Sequence, residues 1–159
     1  MGEVIDPPNQ ARVPRRETLT SAPPNEENYD LGKQIARGGM GSVIEAEDRK
    51  LGRKVALKVM AFDAFSDDSL RRRFVREAKV LAKLAHPNIV PVYDIVWEDG
   101  NPQFYTMKLV QGRTLQEVLD GLREGDAGVV QAFPLDHLLT VFRKVCDAMA
   151  FAHSQGVVH

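Results

Sequence analysis

The sequence has 159 residues, 43% of them hydrophobic, and its 21 Lys and Arg residues nearly balance 22 Asp and Glu residues. This length allows one buried core or two small lobes. The balanced charge argues against nucleic acid or an anionic membrane as the main partner. No apolar stretch reaches the roughly 18 residues of a membrane span, no secretory signal is recognisable, and the single cysteine excludes an internal disulfide. We therefore expect a cytoplasmic protein.

Residues 1–28 are expected to form a disordered tail. They hold five of the nine prolines and few clustered apolar side chains, so they cannot bury enough surface to offset the entropy of ordering. Within them, Arg15-Arg16-Glu17-Thr18 is compatible with a phosphorylation site. A solvated tail with incidental charges is the favoured interpretation.

From residue 29 the chain contains short segments of mixed apolar and polar residues, and residues 43–47 alternate with the period of two that is typical of half-buried strands. Three successive strands are predicted, at residues 31–35, 42–48 and 55–60. Joined by short turns, they predict an antiparallel meander. Two later strands are predicted on either side of the turn-rich residues 98–102, near 90–97 and 103–109.

A helix is predicted between the third and fourth strands, over residues 66–85. Ser66 is the expected N-cap, and Asp67 and Asp68 lie in the first turn, where the helix dipole favours negative charge. Helical spacing gives this segment one apolar face, made of Leu70, Phe74, Ala78, Leu81 and Leu84.

Helices are also predicted in the last third of the chain. Thr114 is expected to cap a helix that ends near Leu122, residues 121–133 are expected to form a loop, and Pro134 opens a helix that reaches about His153. The apolar residues of this last helix are spread over more than half of its circumference, which is typical of a helix inside a lobe. Cys146 is therefore expected to fill a core rather than act as a nucleophile. Because little sequence follows, self-association through the exposed helix 135–153 is a further expectation.

A glycine-rich segment, Gly38-Gly39-Met40-Gly41, joins the first two predicted strands. Glycines let backbone N–H groups approach phosphate oxygens, but a plain tight turn explains the segment equally well when it is considered alone. A P-loop is excluded because GxxxxGK[ST] does not occur. A dinucleotide-binding fingerprint needs a helix after the glycines, whereas a strand follows here. The glycines are therefore placed at a hairpin tip, able to fold over a nucleotide.

Lys58 lies in a predicted strand that should be mostly buried, where an unpaired ammonium is costly. Glu77 shares a helix stripe with Phe74 and Leu81, so its carboxylate should point inward and meet Lys58. The alternative is a surface pair of Glu77 with Arg73, one turn earlier. Together with the glycines, the Lys58–Glu77 pair is the favoured interpretation.

Four motifs follow one another along the chain: Ile35-Ala36-Arg37-Gly38-Gly39-Met40-Gly41-Ser42-Val43, Val55-Ala56-Leu57-Lys58, Arg76-Glu77-Ala78 and His86-Pro87-Asn88-Ile89-Val90. Together they resemble the N-terminal lobe of bacterial eukaryotic-like serine/threonine protein kinases. The final run from His153 resembles the approach to that family's catalytic loop, with His159 as its first residue. The resemblance covers residues 29–159.

The resemblance implies an α+β fold. A lobe with a five-stranded antiparallel sheet and one inserted helix is expected at residues 29–107, followed by a hinge at 108–113. Residues 114–159 would then form two helices of an incomplete helical lobe.

The resemblance also implies a site for ATP, with Mg²⁺ as the second cofactor. Residues 35–41 would cover the phosphates, chiefly through Gly38 and Gly41, and Lys58 would contact the α- and β-phosphates while Glu77 holds it in position. Other matched residues would bind adenine: Val43 and Ala56 by packing, Met107 as the gatekeeper, and Lys108 and Val110 through the backbone carbonyl and N–H respectively. Leu81, Val92 and His159 would belong to the family's hydrophobic spine. Ala36 replaces the first glycine of the loop, a departure that costs little unless its φ is positive.

The family's catalytic Asp and its Mg²⁺-binding Asn and Asp come after the position of His159. This polypeptide alone is therefore expected to be inactive, as one part of an enzyme that phosphorylates Ser or Thr hydroxyls in an unidentified protein. Two non-enzymatic alternatives stay open: a kinase-like module that binds nucleotide or a partner kinase, and a nucleotide-free interaction domain. A solvated face is the favoured interpretation of one basic cluster, Arg71, Arg72, Arg73 and Arg76, over a receptor for an anionic activation segment.

Overall fold

The structure, a computed structural model, describes residues 28–61 and 66–158. The elements in chain order are β1 (Tyr29–Gly38), β2 (Gly41–Asp48), β3 (Arg53–Met60), α1 (Asp68–Lys83), β4 (Val92–Glu98), β5 (Asn101–Lys108), α2 (Leu115–Glu124), α3 (Ala127–Ala132) and α4 (Leu135–Ser154). The predicted tail, apart from residue 28, and His159 lie outside the described residues. The predicted α+β class, with a sheet followed by helices, is confirmed.

The five strands form one antiparallel sheet in the order β1-β2-β3-β5-β4. The predicted meander of the first three strands is confirmed. β1 extends beyond its predicted span of 31–35 at both ends, and its pairing with β2 has two register shifts between Leu31 and Ala36. The last two strands are separated by Asp99 and Gly100, a tighter turn than the predicted 98–102.

The sheet has two apolar faces because strand side chains alternate. One face carries a buried cluster of Ile44, Ala46, Val55, Leu57, Val59 and Phe104. The other face packs against α1, where Phe74 and Ala78 meet Met60 and Tyr105. The predicted apolar side of the inserted helix is thus the side that contacts the sheet.

The N-cap of α1 is Asp67, so the prediction that Ser66 caps this helix is wrong. The Asp67 carboxylate accepts hydrogen bonds from the amides of Ser69 (2.7 Å) and Leu70 (3.3 Å). Ser and Asp are both common N-caps. Here the carboxylate of Asp67, one position after Ser66, satisfies two N–H groups of the first helical turn. The helix ends at Lys83, close to the predicted end.

The predicted loop at residues 121–133 is a second error, because α2 continues to Glu124 and α3 follows. Asp126 caps α3 by accepting hydrogen bonds from the amides of Gly128 (2.8 Å) and Val129 (3.0 Å). The Val129 side chain is buried and lies against Gly121, where an added Cβ would come within 2.8 Å of it. This close packing of α3 on α2 stabilises a helix too short to be predicted from periodicity.

Helix α4 contacts the segment that follows α1. The rings of His86 and Phe151 stack with 5.3 Å between their centres. The side-chain amide of Asn88 donates a hydrogen bond to the Lys144 backbone carbonyl at 3.1 Å. Cys146 is exposed, so the expectation that it fills a core is wrong for the described structure. Among the helices of the described residues, none combines the length and the apolar character that a membrane span requires.

Candidate functional site

The glycine-rich segment forms the hairpin between β1 and β2, as expected from the sequence. The backbone at Gly41 has φ +153°, and a Cβ there would lie 2.0 Å from the Val59 carbonyl oxygen. Gly38 and Gly39 have no other atom within 4 Å of a Cβ position, so this side of the tip is open. The Met40 carbonyl accepts a hydrogen bond from the Ala61 amide at 3.1 Å. The turn is therefore fixed to the end of β3 through Met40 and is open at Gly38 and Gly39.

Several predicted site residues lie on one face of the sheet. Lys58 is directly opposite Val43 on β2 and opposite Tyr105 on β5. Ala56, two residues before Lys58, is opposite Met107. Since residues directly opposite in a sheet project to the same face, these side chains share the face that packs against α1.

Lys58 and Glu77 form the ion pair that the sequence predicts, with 2.5 Å between Nζ and Oε1. The two side chains are 18% and 31% exposed, so the pair is partly shielded from water. The alternative pair of Glu77 with Arg73 is not formed. An ammonium has three N–H donors, and one is directed to Glu77, which leaves Lys58 able to bind a further anion.

Tyr105 also belongs to this cluster, although the sequence motifs did not predict it. Its hydroxyl donates to the same Glu77 oxygen at 2.7 Å, and its ring centre lies 5.9 Å from the Lys58 ammonium. Burial raises the pKa of the Tyr105 phenol, and the hydrogen bond to Glu77 and the charge of that carboxylate raise it further. The phenol therefore stays protonated and holds Glu77 toward Lys58. The register of β5 on β3 was the available signal, because it sets Tyr105 opposite Lys58.

Three of the residues expected to contact adenine, Met107, Lys108 and Val110, lie at or just after the end of β5. The Lys108 amide donates to the Pro91 carbonyl at 3.1 Å, which fixes this end of β5 beside β4. Val110 is 64% exposed, and Ile35 on β1 is 43% exposed. The roles assigned to these residues, and the grouping of Leu81 with Val92, stay predictions.

The side chains and the hairpin on this face have the chemistry that a nucleotide requires. The open hairpin, the partly free ammonium of Lys58 and the apolar Val43 and Ala56 form a surface suited to phosphates at one end and an aromatic base at the other. Within 28–61 and 66–158, no three His, Cys, Asp or Glu side chains are grouped closely enough to hold a metal ion.

The sheet, its inserted helix and the Lys58–Glu77 pair define the class: the smaller lobe of a protein kinase fold, followed by the first helices of the larger lobe. Residues 29–159 match the protein kinase domain family, and the chain belongs to it. The resemblance to bacterial eukaryotic-like serine/threonine kinases is confirmed.

Bacterial relatives share much of this sequence. The chain is 37% identical over 136 residues to the serine/threonine-protein kinase PknD of Chlamydia felis and to that of Chlamydia caviae. Identity to the protein of the same name from Chlamydia muridarum is 38% over 136 residues. Each of these comparisons covers 84% of this chain and 14% of the relative, so the chain spans a small part of the relatives' length.

Proposed function

We propose that this chain is the ATP-binding part of a serine/threonine protein kinase, which transfers the ATP γ-phosphate to Ser or Thr hydroxyls of a protein. The observation that carries the proposal is the Lys58–Glu77 pair beside the open glycine hairpin. A purely structural sheet gains little from a partly buried ion pair, since its desolvation offsets much of the attraction. An ammonium held near an anion-binding turn is instead suited to phosphate oxygens.

Each residue has a distinct task in this proposal. The hairpin amides near Gly38 and Gly41 bind phosphate oxygens, and Lys58 donates to the same group while Glu77 keeps its ammonium in place. Tyr105 positions Glu77 through its hydroxyl. Mg²⁺, when bound in the complete kinase, neutralises phosphate charge. Since the family's base and metal ligands come after the position of His159, we expect nucleotide binding rather than phosphate transfer to be the property that these residues allow us to test.

We expect weak ATP binding, with a Kd of about 1 mM, which corresponds to roughly −4 kcal/mol. Amide chemical shifts followed by NMR during ATP titration should move at Gly38, Gly41 and Lys58. Lys58→Met should weaken binding about tenfold or more, because a charge-assisted hydrogen bond to phosphate is lost. Tyr105→Phe should weaken it less, since Glu77 keeps its ion pair with Lys58.

Lys54→Met provides the matched control. Lys54 belongs to the same strand and sheet face, but its side chain is 64% exposed and pairs with Glu45. ATP affinity should be unchanged by this substitution. Equal losses in the two methionine variants, or shift changes that avoid the hairpin, would refute the proposed site.

We also propose that polypeptides of this length associate through α4. Four apolar side chains form one exposed stripe on this helix, at Leu135, Leu139, Phe142 and Val145, with 71%, 57%, 66% and 48% exposure. Light scattering should show a mass that rises above the monomer with concentration, and Leu139→Glu with Phe142→Glu should restore the monomer. Lys144→Glu, on the same helix outside the stripe, should not. A monomer at every concentration would contradict this proposal.

A further inference from the structure

A cavity of about 690 Å³ lies along the outer side of α1, away from Lys58. One wall is a helix stripe that repeats every three or four residues, and the other wall is the β4–β5 turn with Trp97, Asn101 and Pro102. Phe74 and Glu77 are on the opposite side of the same helix. We call this cavity the basic groove after five of its lining side chains, Arg71, Arg72, Arg76, Lys79 and Lys83.

The basic groove carries an excess of positive charge that the rest of the chain does not share. Its lining includes one acidic residue, Asp68, which pairs with Arg71. Arg71 also donates to the Asn101 side chain at 2.7 Å and so connects the two walls. Among the described residues, the other four basic side chains form no ion pair. The chain as a whole has a formal charge of −1, so this cluster is a local feature.

The spacing of these charges is unfavourable for the helix by itself. Arg72 and Arg76 are four residues apart, as are Lys79 and Lys83, and Arg76 and Lys79 are three apart. Like charges at these spacings repel across a helix face and destabilise it. A bound anion would relieve this repulsion. Anion binding therefore explains why the basic residues are clustered, whereas the solvated face expected from the sequence does not.

The groove also offers apolar surface beside the charges. Trp97 is 49% exposed, and Val75 and Val80 contribute to the same lining. A large exposed aromatic next to several cations suits a ligand that carries both carboxylates and an apolar side chain. The volume of the basic groove lies within the range of pockets that bind small ligands. A few side chains of an extended peptide would occupy a similar space.

We propose that the basic groove binds an acidic peptide segment of a partner protein, with Asp or Glu side chains on the helix cations and one apolar side chain against Trp97. The proposal concerns a surface separate from the nucleotide site. It holds or fails independently of ATP binding, because Lys58 and the glycine hairpin do not line the groove.

Trp97 provides a direct readout because it is the chain's single tryptophan. A short peptide in which Asp and Glu flank one phenylalanine should change its fluorescence in a saturable manner. The affinity should fall as salt is added, since the charges are exposed. The matched probe has Asn and Gln in place of every acidic residue and should bind at least about tenfold more weakly.

Arg72→Glu with Lys79→Glu should weaken binding of the acidic peptide by about tenfold or more. Each substitution places a negative charge four residues before a basic residue, Arg76 or Lys83, so α1 should keep its stability. The control with the same change in net charge is Arg143→Glu with Lys144→Glu on α4, which should bind as the unmodified chain does.

Any of four outcomes would overturn the proposal. The first is no saturable fluorescence change with the acidic peptide, and the second is an equal response to the neutral peptide. The third is an equal loss in the α4 control, which would indicate attraction by net charge alone. Tighter binding of a single-stranded oligonucleotide of matched charge would likewise assign the groove to nucleic acid instead.

Discussion

Gly41→Ala is expected to lower the free energy of unfolding by about 3 kcal/mol or more, from backbone strain and steric overlap together. The φ of +153° at Gly41 is one that L side chains rarely adopt. The added Cβ would also lie 2.0 Å from the Val59 carbonyl oxygen and 3.1 Å from the Met60 Cα. Both neighbours are backbone atoms, so relief requires β2 to move away from β3. Urea unfolding followed by circular dichroism measures the loss.

Gly39→Ala is the control for this substitution. Gly39 lies in the same hairpin, but a Cβ there meets no atom within 4 Å and its φ is not in the left-handed range. Its free energy of unfolding should stay within about 0.5 kcal/mol of the unmodified chain. Wild-type stability in the Gly41→Ala variant would show that the start of β2 does not lie against the Val59 carbonyl.

The sheet and the ion pair were predictable because each depends on a simple physical requirement. Alternation along β2 identifies Ile44 and Ala46 as the buried side, and both are almost fully buried. Lys58 and Glu77 were paired because each is costly to bury alone. Burial and charge neutrality act on residue types, so they can be inferred without coordinates.

Features that depend on exact register or on one tertiary contact were not predictable. Tyr105 contacts Glu77 only because β5 pairs with β3 in a register that sets Tyr105 opposite Lys58. Helix α3 is short and depends on Val129 packing against Gly121. A shift of one residue in the pairing of β5, or in the position of α3, would remove the contact of Tyr105 with Glu77 or that of Val129 with Gly121. The pattern of apolar and polar residues in the sequence would be the same.

The last helix shows how context changes the meaning of a pattern. Apolar residues around α4 predicted an interior helix, and on that basis Cys146 was expected to be buried. In the described structure Cys146 is exposed, as are Leu139 and Phe142. Periodicity reports which side chains favour burial, but whether they are covered depends on which other elements are present.

The two sides of helix α1 belong to different sites. The inner side presents Glu77 to Lys58, and the outer side forms the basic groove. Phe74 holds the helix to the sheet between them, since its fully buried ring packs on Tyr105 with 5.2 Å between ring centres. The position of Glu77, one turn after Phe74, therefore depends on this contact.

Phe74→Ala is expected to lower the free energy of unfolding by about 3–5 kcal/mol, because a buried aromatic side chain is replaced by a cavity. Small domains have a total stability of about 5–15 kcal/mol, so a large part of it would be lost. Urea unfolding followed by circular dichroism measures the change. At urea concentrations below the transition, amide shifts of Glu77 and Tyr105 should report whether α1 has moved from the sheet.

Phe142→Ala makes the same chemical change at a side chain that is 66% exposed, so it separates burial from residue type. At a dilution where light scattering finds only monomer, its free energy of unfolding should change by no more than about 0.5 kcal/mol. Equal losses in the two variants would mean that Phe74 does not anchor α1. A large loss confined to Phe74→Ala, with the Glu77 and Tyr105 shifts displaced, would show that the same contact stabilises the lobe and positions the carboxylate beside Lys58.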